Sequence, residues 1–396
     1  MKQLLMALSL IASIYCQTKN ENIKKESSGF VKTIQVDFNQ LKNKLDDFQF
    51  QASTGEIDIL QTDKAFPYLI TKIFIRVKDE ADAKEVFDEF NIDVEEVRNR
   101  LIVYFQDRLN HRNNYGWEKY FQVSHSIYIN KNVQMDCRTS GGSIGGSDLT
   151  NTVRGKTSGG NIKFRNVNGA LDINTSGGNI DMETITGEVD VNTSGGNITM
   201  ININGKLSAK TSGGSISLEK IKGEVDARTS GGDIHLTDIS SYADAKTSGG
   251  SIRFKDIKNG LNAKTSGGNI RGYNLAGAAV LETNGGNINA KNVMGPISAE
   301  NGSGDIELTL NLDKYDGSKS SYITTDHGDI VVEISQTSSF EAQLSAHSYF
   351  DDSRDNIYSD FDINYRGKRA TAKNLDAKHQ IFIETSGGKI KLLKLR

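Results

Sequence analysis

Tryptophan occurs once in this chain of 396 residues, and proline and cysteine twice each. Two cysteines cannot make a disulfide scaffold. Cys16 closes an apolar N-terminal run, Leu4 to Tyr15, that fits a secretory signal. Once Cys16 is cleaved away or lipidated, Cys137 has no partner within the chain and reads as a buried structural thiol. The charge has no dominant sign: 47 Lys and Arg against 50 Asp and Glu leave a net −3. That argues against a nucleic-acid partner, which would need a basic face. The first apolar run is too short to span a bilayer and no second one follows, so no transmembrane span is expected. His111, His125, His235, His327, His347 and His379 are scattered without metal-ligand spacing. No catalytic, cofactor-binding or metal-binding residue is assigned, and no cofactor is expected.

Glycine is abundant, with 39 residues. Its placement shows a repeat rather than disorder. Thr-Ser-Gly-Gly-x-Ile or a close copy begins at Thr139, Thr157, Thr175, Thr193, Thr211, Thr229, Thr247, Thr265 and Thr283, with Asn301 in the tenth place. The step is 18 residues each time. A fixed period near 20 is the signature of a solenoid. Five residues after each threonine stands an isoleucine, from Ile144 to Ile306. Further apolar columns follow ten and fourteen residues after it, with polar residues between. Alternation over four to six residues predicts two short strands per repeat, each with one buried face. Gly-Gly and a second glycine (Gly169, Gly187, Gly205, Gly223) predict the corners. One repeat cannot bury its own apolar face, but stacked repeats can. The expected fold is therefore all-β: a parallel β-solenoid (β-helix) with 18-residue coils. An isoleucine ladder lies inside and columns of Asn and Ser (Asn161, Asn179, Ser215, Ser251) lie outside.

The remaining chain predicts irregular caps, the N-terminal one containing one helix, Asp79 to Phe90. Ser53-Thr54-Gly55-Glu56-Ile57 is a worn copy of the corner, and Thr385-Ser386-Gly387-Gly388-Lys389-Ile390 a clean late one. The expected divisions are a signal peptide at 1–16, a flexible leader at 17–28, and a strand/helix cap at 29–130, with early coils within it. The regular solenoid follows at 131–312, then irregular coils and a cap at 313–396.

Three stretches carry a family resemblance. They are Phe121-Gln122-Val123-Ser124 with Ile129-Asn130-Lys131-Asn132-Val133, the run of Thr-Ser-Gly-Gly-x-Ile coils, and the closing Ile383-Glu384-Thr385-Ser386-Gly387-Gly388. Together they resemble the "putative adhesin" domain family of bacterial envelope proteins, over Phe30 to Arg396. Lys131 departs from it, standing where relatives often carry proline. The resemblance implies a β-solenoid and an extracytoplasmic location, and supplies no catalytic residues. "Adhesin" is a label of analogy and a weak warrant for function.

Other features fit the solenoid as well as they fit a site. Gly141 to Asp148 has a faint likeness to a calcium-binding nonapeptide, but the other coils lack the aspartate. Ser-Gly-Gly could cradle phosphate, yet no helix starts there. Asp172, Asp190, Asp226 and Asp244 form a partial outward column with Glu188 and Glu224 nearby; sugar-cleaving β-helices use paired carboxylates. Tyr242 and Tyr273 are isolated, so the repeat face lacks stacking aromatics. The inward turn of the threonine column speaks against ice binding. The expectation is a secreted or envelope-attached, non-enzymatic, adhesin-like binding or scaffolding protein, with a glycan or protein as its extracellular partner. Two alternatives stand beside it: a polysaccharide-active enzyme using the Asp column, and a self-assembling fibre. Cys16 marks either signal cleavage or a lipid anchor.

Overall fold

The computed structural model describes residues 18–41, 44–108, 121–315, 320–347, 356–366 and 369–395. Cys16 and the expected signal segment lie outside them, as do His111 and Trp117. The chain forms two compact units, Met1–Thr193 and Ser194–Arg396. Each is a parallel β-solenoid for most of its length.

A coil of the first unit shows the construction. The strand Ile162–Asn168 lies in one sheet, the chain turns at Gly169, and Leu171–Asn174 lies in a second sheet before the Ser176–Gly178 corner. Its neighbours repeat it 18 residues away: Ile144, Ile162 and Ile180 stand in register, and so do Val153, Leu171 and Val189. Burial follows the alternation, with Ile162, Phe164 and Val167 inside and Lys163, Arg165 and Asn166 outside. Two consecutive outward residues break a plain pleat. They are accommodated because Asn166 adopts φ 50°, in the left-handed region. The regular coils of this unit repeat it, at Asp148, Asn166 and Thr184. Asn and Asp enter that region more readily than other residues, their short polar side chains bonding locally.

The N-terminal cap reorders the coils. Asp47–Ala52 and Glu56–Gln61 form a coil from the worn corner copy, and it stacks in parallel register on Gln134–Thr139 and Ile144–Leu149. Arg100–Asp107 and Phe121–Ile129 stack on its other side. The coil first in sequence is therefore covered on both faces. Antiparallel strands continue the first sheet: Tyr68–Ile75 against Phe121–Ile129, Gly29–Asp37 against Tyr68–Ile75, and Thr18–Glu26 against Gly29–Asp37. Phe90–Val97 closes the second sheet in a hairpin turned at Arg98, φ 59°. The helix is shorter than expected, Glu80–Phe87, because Phe90 begins that hairpin. Asp79 caps it, its carboxylate accepting the Asp82 N–H at 2.9 Å, and Ala83, Val86 and Phe87 face the core.

The flexible leader expected over 17–28 is corrected. Thr18–Glu26 is a strand with nine pairings to Gly29–Asp37. Its apolar content is low, but main-chain pairing does not require it. Glu21 also supplies the counter-charge for Lys32, which is buried, at 3.0 Å. An edge rich in Lys and Glu resists further strand addition.

In the second unit the same coil repeats from Ile198–Asn204 and Leu207–Lys210 to Ile297–Asn301 and Ile306–Leu310. The left-handed column continues at Asn202, Lys220, Asp238, Asp256, Asn274 and Asn292. Its end mirrors the N-terminal device. His379–Thr385 and Ile390–Lys394, last in sequence, stack on Ser321–Thr325 and Ile330–Ile334. Phe340–Ala346 and Ile357–Ser359 stack beyond them. Arg369–Asn374 and Ile363–Arg366 close that sheet antiparallel. Among the described residues no helix is long and apolar enough to cross a membrane.

Candidate functional site

Most polar residues of the coils serve the coils themselves. Each repeat threonine points inward and donates its hydroxyl to a glycine carbonyl of the coil before, as Thr175 does to Gly160 at 3.0 Å and Thr229 to Gly214 at 2.8 Å. The same hydroxyl accepts the N–H of its own corner glycine, Gly178 or Gly232. The outward Asn/Ser column bonds along the stack, its side chains accepting from main-chain N–H groups of the next coil. Asn161 accepts the Asn179 N–H at 2.8 Å, and in the second unit Ser215 accepts that of Asp233, Asp233 that of Ser251, and Asn269 that of Asn287. The Ser251 N–H and then Arg253 hold the Asp233 carboxyl below the usual carboxylate range, against its partial burial. The left-handed column forms a further ladder: Asn166 donates to Asp148 at 2.5 Å and Asn274 to Asp256 at 2.6 Å. Asp148, which gave the calcium-like look, is thus engaged.

The Asp column is also occupied. Asn174 donates to Asp172, and Arg154 lies 3.9 Å from it. Arg228 bridges Asp226 at 2.6 Å and Asp244 at 3.1 Å, and Lys246 and Asn262 also reach Asp244. Within each unit these acids therefore stand beside cations. Asp190 stands in register with Asp172. Among the described residues no group of three or more His, Cys, Asp or Glu comes together. His235 contacts Arg253 at 2.7 Å and His347 lies 3.5 Å from Glu384. Cys137 is fully buried, and burial pushes its thiol pKa far up. Tyr242 and Tyr273 are exposed, with Lys255 over the Tyr273 ring.

The concavity of the first unit lies elsewhere, on the outer face of the reordered cap. A groove of about 1180 Å³ is floored by outward side chains of five adjacent strands. In register across them run Asn22, Thr33, Lys72, Ser124 and Glu56, and beside these Lys24, Val31, Phe74 and Gln122. The corners Thr54–Gly55 and Gly141–Gly142 form one wall. Lys72, Phe74 and Arg76 share the outward face of one strand because Ile73 and Ile75 fill the inward one. Lys24, Lys72 and Arg76 make no ion pair among the described residues, unlike Arg165, Arg228 and Arg253 on the coils. A second depression of about 380 Å³ shares Glu56 with the groove and runs past Asp58 to Lys163. It is open because Gly145 supplies no side chain opposite Lys163.

Behind the wall sits His125, wholly buried. Its Nε2–H donates to the Thr54 carbonyl at 3.1 Å, and its Nδ1 then accepts the Thr71 hydroxyl at 3.0 Å. Phe50 and Phe105 meet the ring edge-on. Burial lowers its pKa from 6.5 to about 4, the Thr54 carbonyl opposing in part, so the ring is neutral. Gly55, at φ 105°, packs where a Cβ would fall 2.7 Å from that Nε2. His125 therefore holds the groove wall.

The repeat architecture has a counterpart in a known family. The model of the Toastrack family, DUF4097, matches residues 126–273 and again 206–393, which together span well over half of the chain. The chain belongs to the Toastrack family. No curated protein matches it. Solved structures similar to this Toastrack chain include a "putative cell adhesion protein" from Clostridium sporogenes, 9% identical over 96% of this chain and 100% of that one, TM-score 0.21. A "putative lipid binding protein" from Parabacteroides distasonis is 15% identical over 92% and 97%, TM-score 0.21. A "putative adhesin" from Bacteroides fragilis is 10% identical over 92% and 97%, TM-score 0.22. Likenesses at that level carry no argument about fold or ligand. The groove precedes most of the Toastrack match, which begins at residue 126. Sequence reading passed over Lys24, Lys72, Phe74 and Arg76. The alternation Lys-Ile-Phe-Ile-Arg was visible, but which strands would lie beside it was not.

Proposed function

We propose that this protein is an extracytoplasmic, non-enzymatic binding protein whose ligand lies in the groove of the N-terminal cap. One observation carries the reading. The repeat threonines, the Asn/Ser column and most of the Asp column are engaged along the stack, whereas Lys24, Lys72 and Arg76, without an ion pair among the described residues, gather on one concave surface. The apolar run before Cys16 supports export, and Cys16 is the point of cleavage or of lipid attachment. The partner is a large envelope or extracellular molecule, a glycan or a protein.

The test is co-sedimentation of the purified chain with envelope material from its native host, comparing wild type with Ser124→Trp, which fills the groove. Lys291→Ala, in the second unit, serves as a control. The proposal expects sedimentation by wild type and the control, loss in Ser124→Trp, and no release of soluble sugar. Sedimentation unchanged in Ser124→Trp would overturn it. Sugar release that disappears in Asp226→Asn would establish the enzyme reading instead.

A further inference from the structure

We infer that the groove binds an acidic polysaccharide, with a uronate sugar seated over Phe74. The inference rests on the binding reading above and names its ligand class. Phe74 is half-buried on the groove floor. Its nearest outward neighbours along the strand are Lys72 and Arg76, about 13 Å apart as residues i and i+4 of an extended chain. Its cross-strand neighbours are Val31 and Gln122, both uncharged. The acids of the groove, Glu26 and Glu56, stand at its margins, beside Gly29 and Ser124. A ring with an apolar face would lie on Phe74, and a carboxylate on that ring would reach one of the two flanking cations. Hydroxyls would meet the amide and hydroxyl groups of Asn22, Thr33, Gln122 and Ser124.

The ligand is a chain rather than a single sugar. The larger depression crosses five adjacent strands, from Thr18–Glu26 to Glu56–Gln61. At the usual interstrand spacing this is about 19 Å, room for several sugars. A peptide fits less well. Tyr68–Ile75 is paired on both sides, and the free edge of the groove floor, Thr18–Glu26, is rich in Lys and Glu and resists addition of a peptide strand. A lipid fits less well too, since among the described residues only Val31, Phe74, Phe121 and Val123 line the larger depression with apolar side chains.

The experiment is an immobilised array of uronate-bearing glycans, neutral glycans and polyglutamate, probed with wild type, Lys72→Ala, Arg76→Ala and Phe74→Ala. Melting curves confirm that each variant is folded. Retention on uronate-bearing glycans is expected, weakening as salt is raised. Affinity is expected to fall about tenfold for each cation removed. Retention on neutral glycans or polyglutamate alone, or uronate binding unchanged in both cation variants, overturns the inference. So does absence of any uronate binding. If Ser124→Trp still abolishes envelope sedimentation in those cases, the groove stands as the site and only its ligand class is wrong.

Discussion

At the residue scale, the two glycines of each corner have different duties. A Cβ on the second, Gly232, would fall 2.0 Å from the Gly214 carbonyl oxygen of the coil before, whereas one on the first, Gly231, would find nothing nearer than 3.6 Å. Gly232→Ala is therefore expected to cost about 1–3 kcal/mol by forcing the coils apart. Gly231→Ala is expected to be neutral or to stabilise by about 0.5 kcal/mol through the unfolded chain. Urea midpoints of the two variants check this directly. His125 makes a second prediction. Its folded pKa, about 4, lies below the 6.5 of the free side chain, so at low pH the unfolded chain binds the proton the folded one refuses. Stability is fully present above pH 6.5 and falls as pH drops through 4, by about 3 kcal/mol in total at 1.36 kcal/mol per unit. Denaturant midpoints between pH 7 and pH 4 should show that fall, and His125→Gln should flatten it.

At the element scale, the coil is a long strand bent by a left-handed residue, and the sequence carries this as an Asn/Asp column. Lys220 is an exception, at φ 56° without an amide or short carboxylate to help. Lys220→Asn is expected to raise stability by about 1 kcal/mol, the order of the left-handed penalty; a rise in the thermal midpoint checks it. The 18-residue period, the inward Thr and Ile, and the corners were legible because every coil solves the same packing problem with the same residue types. The bend at Asn166 was not, because alternation alone does not reveal two successive outward residues. The strand Thr18–Glu26 was missed because its stability lies in main-chain pairing and the Glu21–Lys32 pair, neither of which leaves an apolar pattern.

At the scale of the whole molecule, each unit buries the coil nearest its own chain end. Residues 47–61 lie between the strands of 134–149 and those of Arg100–Asp107 and Phe121–Ile129, and residues 379–394 lie between the strands of 321–334 and those of Phe340–Ala346 and Ile357–Ser359. Periodicity could not show this, since it orders coils by sequence and these are ordered by pairing. The groove depends on it: Glu56 comes beside Ser124 and Lys72 only because the early coil is overlaid by a later one. A chain ending after Asn374 removes an inner coil, so the strands Phe340–Ala346 and Ile357–Ser359 should be lost with it. Limited proteolysis should then cut within Phe340–Ala346, where the full chain resists.

The central claim is that the cap groove, rather than the coils, does the binding. Hydroxyl-radical footprinting of side chains, with and without bound envelope material, tests it most directly. The account predicts protection of Phe74 and Phe121, with Tyr242, Tyr273 and Tyr322 of the second unit as reactive as before. Protection of those tyrosines, with Phe74 unchanged, would place the binding face on the coils and contradict it.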